Sequence, residues 1–465
     1  MSTTPWWFVM AALAVGTSAA LAADEPHATT PAPPPPPAAL PGTVERYTLK
    51  NGMRVVLCSD PQAAAADVAV WYDAGTRREK AGRTGVAHLF EHLMFRGSAH
   101  VPPGEHARRM EAAGGTFGAF TSADHACYYE TVPASAVDLA LELEADRMAG
   151  LLIDQPRLDA TREGIRLERQ ATTFTTPPVV GLQRLYAVAF PDHPYRAPLF
   201  GVEADLQKLT VADCRTWYKE RFGPGRALLT VTGRFDPAEA RAAIEKRFGG
   251  LRGATGGAGE AAKLDLAAPG RRVTEKSRQP FRTLWVGWTL PGRGDPDLVP
   301  LMLLGSAFTH GQNSRLDRAL VQVENPRAVY VEGDVETRDD AALMFCMLAI
   351  APGADSATVE RELKTETDKI ALESITEDEL THARNRLATE ILFSWQTARG
   401  RALALGTSIA GGGSEQDPKA QLDRIRACTT ADIRRVAERY VTTAHRTTMW
   451  LLPDHAPGAS AGGSR

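Results

Sequence analysis

Twelve residues, Thr84-Gly85-Val86-Ala87-His88-Leu89-Phe90-Glu91-His92-Leu93-Met94-Phe95, constrain the fold of this chain more than any other stretch. Val86, Leu89, Phe90, Leu93 and Met94 recur at helical spacing, which predicts a helix with one side in a core, and Thr84 stands where an N-cap is expected. His88, Glu91 and His92 are groups such a core would not choose. Two imidazoles one turn apart project from one face and can hold one metal ion, with Glu91 beside them. A lone histidine on an apolar helix is ordinarily satisfied by a backbone carbonyl. Two histidines and an acid in one apolar helix each need a partner if buried, and the helix offers none. The pattern H-x-x-E-H mirrors the commoner H-E-x-x-H metal helix.

A length of 465 residues exceeds one ordinary core and predicts two domains of about 200 residues each. A net charge of -3 and a pI near 6.4 give no basic footprint, so no nucleic-acid partner is expected. Residues 1–23 read as a secretory signal, with an apolar run from Trp6 through Val15 and an A-x-A site at Ala20-Leu21-Ala22. Its first residues lack Lys and Arg, so an uncleaved anchor is the alternative. Gly16, Thr17 and Ser18 interrupt the apolar run too early for a spanning helix. The expected location is periplasmic or secreted, with no stable membrane anchor after cleavage. Residues 24–43 form a proline-rich spacer, densest from Pro31 to Pro41. Cys58, Cys127, Cys214, Cys346 and Cys428 are never paired as C-x-x-C, which predicts small buried hydrophobes and leaves one disulfide open.

Arg46 to Leu49 and Met53 to Cys58, about an Asn51-Gly52 turn, predict a hairpin, and Asp67 to Tyr72 a further strand. Beyond the histidine helix come a helix from Glu105 to Ala113 stopped by Gly114-Gly115, strands Thr116 to Thr121 and His125 to Val132, and a helix from Ala134 to about Leu152. Gln155-Pro156 is expected to break that helix before a second, Leu158 to Thr172. Thr210-Val211-Ala212-Asp213 opens a helix to Phe222 that precedes the strand Ala227 to Thr232. About 219 residues later Thr430-Ala431-Asp432 opens a helix to Tyr440 that precedes the strand Thr447 to Leu452, an internal repeat. Gly253, Gly256, Gly257 and Gly259 mark a linker at 250–264 between domains at 44–249 and 265–455, with a tail at 456–465. A catalytic zinc needs a third protein ligand, and spacing alone does not choose among Glu168, Glu163, Glu142 and Glu144.

Gly85 to Ser98, GVAHLFEHLMFRGS, closely resembles the zinc signature of the pitrilysin/insulinase family of inverzincin peptidases, which includes insulysin and the mitochondrial processing peptidase. Three weaker likenesses follow in family order. Gly114 to Thr121 resembles the substrate-binding edge strand, Phe190 to Tyr195 the H-P-Y segment, and Gly305 to Leu316, with Asn313-Ser314-Arg315-Leu316, the S-S-R-L helix of the second domain. The resemblance implies an α+β fold of two similar domains, each an antiparallel-rich sheet packed with helices. It assigns the third ligand to Glu168, 76 residues after His92. His88, His92 and Glu168 would then hold Zn2+, and Glu91 would act as general base on a zinc-bound water. Gly118, Ala119 and Phe120 would align a peptide substrate by main-chain pairing.

Three positions depart from the family pattern. Thr161 stands where a glutamate usually supports the third ligand, and Gly118-Ala119 stands where Asn-Ala is usual. Family members carry an Arg and a Tyr seven residues apart in the second domain, which help bind substrate and stabilise the oxyanion. Tyr330 matches the tyrosine, while Val323 occupies the arginine position. The chain is therefore expected to be the zinc-bearing half of a heterodimer whose other chain supplies the Arg/Tyr pair. A homodimer using Arg327 is the competing arrangement. The expected function is a zinc-dependent metalloendopeptidase subunit acting on peptides or unfolded segments, with a non-catalytic zinc-containing scaffold subunit as the alternative.

Overall fold

The computed structural model describes residues 42–175, 177–254, 262, 264–312, 314–410 and 418–454. The signal segment, the spacer up to residue 41, linker residues 255–261 and 263, Asn313 and the tail lie outside the described residues. Strands β1 (Thr43–Thr48), β2 (Arg54–Ser59), β3 (Ala66–Tyr72), β4 (Thr116–Thr121), β5 (Ala126–Val132) and β6 (Ala227–Gly233) form one sheet in the order β1-β2-β6-β3-β5-β4. Strands β7 (Arg272–Ser277), β8 (Thr283–Pro291), β9 (Ala328–Thr337), β10 (Ala341–Ile350) and β11 (Thr447–Pro453) form the other, in the order β7-β11-β8-β10-β9. The pairs β2/β6 and β7/β11 are parallel and every other pair is antiparallel. Without β1 the two sheets have identical connectivity, so the chain is one α+β fold used twice.

In the first half, α1 (Val86–Leu93) and α2 (Glu105–Ala112) lie between β3 and β4. Helices α3 (Val137–Gly150), α4 (Gln155–Thr175), α5 (Pro177–Ala189), α6 (Glu203–Lys208) and α7 (Val211–Arg221) lie between β5 and β6, and α8 (Pro237–Phe248) follows. In the second half, α9 (Leu298–Thr309) and α10 (Arg315–Leu320) lie between β8 and β9. Helices α11 (Ser356–Glu373), α12 (Glu377–Gln396), α13 (Ala398–Ala410), α14 (Pro418–Ala427) and α15 (Thr430–Tyr440) lie between β10 and β11. Helix α9 thus holds the place that α1 holds in the first half, yet its sequence LVPLMLLGSAFT contains no titratable residue. The repeat seen in sequence has a local cause: α7 and α15 both open with a capping box, Thr210 with Asp213 and Thr429 with Asp432.

Three expected elements differ. Helix α4 starts at Gln155, because Pro156 in a first turn lacks only an N–H that has no intrahelical partner there. The segment Gly305 to Leu316 is not one helix: α9 ends at Thr309, and α10 starts afresh with Ser314 accepting from the Asp317 N–H. Thr84 does not cap α1; Gly85 takes the N-cap position.

Each sheet is covered on one face by its own helices and on the other by a helix from the opposite half. Helix α13 lies on β3 and β6, with Ala402 and Leu405 against Val56, Ala69 and Leu228. Helix α5 lies on β8 and β11, with Leu185 and Tyr186 against Trp285, Leu343 and Met449. Strands β3 and β6 are consequently buried at every position, where a one-sided sheet would alternate. The exchange requires two glycines. Gly406 of α13 lies on the Trp71 indole and Gly181 of α5 on the Trp285 indole, and a Cβ at either position would enter the ring. Gly406→Ala is expected to destabilise the chain by about 1–3 kcal/mol in urea unfolding, whereas Gly250→Ala, which meets open space, is expected to be near neutral.

The halves also meet through buried charge. Arg77, in the turn after β3, pairs at 3.1 Å with Asp124 of the β4–β5 turn and with Asp339 and Asp340 of the β9–β10 turn. His125 and Arg293 reach Asp339 at 3.1 and 3.2 Å, and the Tyr195 hydroxyl donates to Asp124 at 2.7 Å while accepting from the Asp340 N–H. The H-P-Y segment therefore serves the joint between halves.

Within the second half, Glu379 of α12 receives Arg315 and Arg318 of α10 and the Thr376 N–H. Burial alone would raise its carboxyl, and the Arg315 hydrogen bond leads the partners that bring it from 4.5 down to about 2. A depressed carboxylate contributes stability above its ordinary pKa and loses it as pH falls toward the folded value, here about 3 kcal/mol between pH 4.5 and 2. Urea unfolding against pH is expected to show this acid loss in the wild type and not in Glu379→Gln.

Candidate metal centre

Helix α1 has eight residues, too few to be stable alone. Burial of Val86, Ala87, Leu89, Phe90 and Leu93 holds it, and the Tyr128 hydroxyl donates to the Phe90 carbonyl at 3.0 Å. Its N-terminus is built from outside. Gly85, not Thr84, takes the N-cap position at φ 91° with no side chain to cap, and the Glu79 carboxylate accepts the Gly85 and Ala87 N–H groups at 3.0 and 2.9 Å. Burial pushes the Glu79 carboxyl up to about 8 despite those two donors. Thr84 is used elsewhere: its hydroxyl donates to Asp205 at 2.7 Å and accepts from the Val202 N–H at 2.9 Å.

Helix α4 crosses α1 so that Glu168 faces both imidazoles. His88 Nε2 lies 3.3 Å from Glu168 Oε2, His92 Nε2 lies 3.0 Å from the same oxygen, and the two Nε2 atoms are 3.3 Å apart. Four-coordinate zinc with ligands at about 2.0–2.1 Å requires neighbouring donors about 3.3 Å apart, which these three atoms match. Among the described residues this is the one group of three able to share an ion. The competing acids are engaged elsewhere: Glu163 with Arg166, Glu142 with Arg109 and Arg247, and Glu144 with Arg147 in the core. Burial alone would lower His88, but Glu168 first and Glu91 next raise it to about 10. Glu168 and Glu91 are both raised by burial and pulled below the ordinary carboxylate range by the histidines. The site thus pairs two carboxylates with whatever cation sits among them. Glu91 Oε2 lies 3.4 Å from His88 Nδ1.

Strand β4 lies at the sheet edge next to α1 and among the described residues pairs with β5 alone. Gly118 and Ala119 are buried, and Phe120 turns its ring onto Trp71 at 5.6 Å. Gly118 has its own reason: a Cβ there would meet the Tyr129 hydroxyl at 2.6 Å, so a larger residue would require the tyrosine ring to shift.

Residues 54–203 match the family model described as Insulinase (Peptidase family M16), and residues 208–387 match the Peptidase M16 inactive domain. The chain belongs to the insulinase family, M16. The apolar α9 in the place of α1 is the physical counterpart of that second description. An uncharacterized zinc protease of Mycobacterium tuberculosis is 27% identical over 408 residues, 85% of this chain and 90% of that one. A probable mitochondrial-processing peptidase subunit beta of Arabidopsis thaliana is 27% identical over 407 residues, 85% of this chain and 75% of that one. The fold matches the crystal structure of a protease from Helicobacter pylori with a TM-score of 0.82 at 23% identity, covering 89% of this chain and all of that one.

Tyr330 is not brought to this M16 metal site's three donors by any hydrogen bond. It lies on β9, the edge strand equivalent to β4, and its hydroxyl donates to Glu332 at 2.8 Å, with His310 on the other Glu332 oxygen at 3.1 Å. Val323 is exposed in the turn before β9, and Arg327 is held by Glu362 at 3.0 Å and by the Asn325 carbonyl at 2.9 Å. Sequence reasoning missed Glu79, Asp205, Phe200 and Arg169, which surround the site and carry no periodicity or motif.

Proposed function

We propose that this chain is an exported zinc-dependent endopeptidase subunit that cleaves peptides or unfolded segments. The observation that carries this reading is the 3.0–3.3 Å triangle of His88, His92 and Glu168 with Glu91 beside it. Zinc, when bound, supplies Lewis acidity that activates water and polarises a peptide carbonyl. Neutral His88 and His92 and ionised Glu168 would hold it. Glu91, a carboxylate beside His88, would take a proton from the attacking water and pass it to the leaving amine. The free edge of β4 would order an extended substrate by main-chain pairing, which reads little of its sequence. Tyr330 would stabilise the developing oxyanion from the second half of a chain in the assembly.

Relatives named mitochondrial-processing peptidase subunit beta support a working unit of two family chains. Val323 supports a partner that brings the missing arginine, and the Glu362 pairing of Arg327 weighs against a homodimer. The test is cleavage of a mixed peptide library by the mature chain, alone and with its candidate partner, before and after chelation. Cleavage that needs the partner, is lost with chelator and returns with zinc is the expected result. No cleavage in any combination, with zinc bound and the dimer formed, would favour the scaffold reading.

A further inference from the structure

The carboxylate missing at Thr161 is not replaced from the same position. Thr161 is fully buried, and its hydroxyl donates to the Arg157 carbonyl one turn back in α4. Glu168 is 41% exposed at its side chain and touches the two imidazoles, so its placement depends on how α4 is held at that point. The residue that follows it is anchored. Arg169 donates from one guanidinium nitrogen to the Gly201 carbonyl at 2.6 Å and from the other to Glu203 at 2.8 Å.

The segment that receives Arg169 also holds α1. Phe200 sets its ring edge-on to the His88 imidazole, with centroids 4.8 Å apart and planes at 79°. Val202 donates its N–H to Thr84, and Asp205 accepts both the N–H and the hydroxyl of Thr84. Between these contacts the two backbones touch glycine to glycine: Gly201 has φ +65°, and a Cβ there would enter the backbone of Gly85. Residues 200–205 therefore grip the helix with two donor histidines on one side and the helix with the donor carboxylate on the other.

We propose that Arg169 is a positioning residue for the metal centre, setting Glu168 against His88 and His92 through the turn at residues 200–205. This rests on the zinc reading above. The guanidinium fork spans a carbonyl and a carboxylate at once, which a lysine ammonium does less well. The contact acts on the angle of α4 over α1, and neither Arg169 nor Asp205 is among the three donor residues.

The test is the zinc dissociation constant by chelator competition, with the Co2+ absorption spectrum and the metal-free unfolding midpoint, on the mature chain. Arg169→Met is expected to bind zinc about 10- to 100-fold more weakly, with an altered Co2+ spectrum and an unchanged metal-free midpoint. Arg169→Lys is expected to fall between it and the wild type. Affinity and Co2+ spectrum like the wild type in Arg169→Met would overturn the proposal while leaving the metal site intact. A wild-type chain that binds no zinc, or Glu168→Gln binding as tightly as wild type, would overturn the metal reading and this proposal together. If Arg169→Met does not fold, Glu203→Ala decides, because it removes the carboxylate Arg169 pairs with: weakened zinc binding supports the proposal, and wild-type affinity overturns it.

Discussion

Replacing Glu91 by Gln is expected to cut peptide hydrolysis about 10²- to 10⁴-fold and to leave zinc content unchanged. The amide has the shape of the carboxylate and fills the same place beside His88 Nδ1, 3.4 Å away, so the imidazole keeps its packing. The three donor atoms are His88 Nε2, His92 Nε2 and Glu168 Oε2, none of which belongs to residue 91. What the variant loses is a group that can take a proton. Metal analysis beside kcat/KM for a cleaved peptide separates these effects. Retained activity would show that another residue acts as the base. Loss of zinc would show that Glu91 holds His88 in place rather than moving protons.

Removing the charge at the joint between halves is expected to cost more than any surface substitution. Arg77 is 6% exposed and faces Asp124, Asp339 and Asp340, themselves 5–8% exposed. Arg77→Met leaves Asp339 with His125 and Arg293, Asp340 with His193 at 3.8 Å and Asp124 with the Tyr195 hydroxyl, and the expected loss is about 3–5 kcal/mol in urea unfolding, the range for breaking a buried ion pair from one side. Adding Asp339→Asn should recover part of the loss, because the uncompensated charge rather than the missing contact dominates it. A loss below about 1 kcal/mol would mean that water enters the joint when the arginine is gone. The same joint links the β4–β5 and β9–β10 turns, so a severe variant should also alter the relation between the two edge strands.

The histidine helix was legible because everything that defines it is local. Apolar spacing, the four-residue step from His88 to His92 and the placement of Glu91 follow from helix geometry, and the structure has α1 at Val86–Leu93. The β1–β2 hairpin and the matched capping boxes before α7 and α15 are legible for the same reason. Family resemblance went further and assigned Glu168, which spacing could not separate from three other acids.

By itself, then, the sequence determined the elements whose cause is a helical period, a capping box or a two-residue turn, together with the chemistry those residues carry. Tertiary structure alone decided where these elements meet. Thr84 lost its capping role to Glu79 because a segment eight residues away supplies a better acceptor to the Ala87 N–H. Helices α5 and α13 cross to the opposite sheets because an apolar helix face specifies burial and not the partner that buries it. Glu168 stands beside the imidazoles through the crossing of α4 over α1, an angle set by Arg169, Gly201 and Gly85, which lie far apart in the chain. Hydrophobic periodicity is a one-dimensional signal, and it does not encode the rotation of one helix against another.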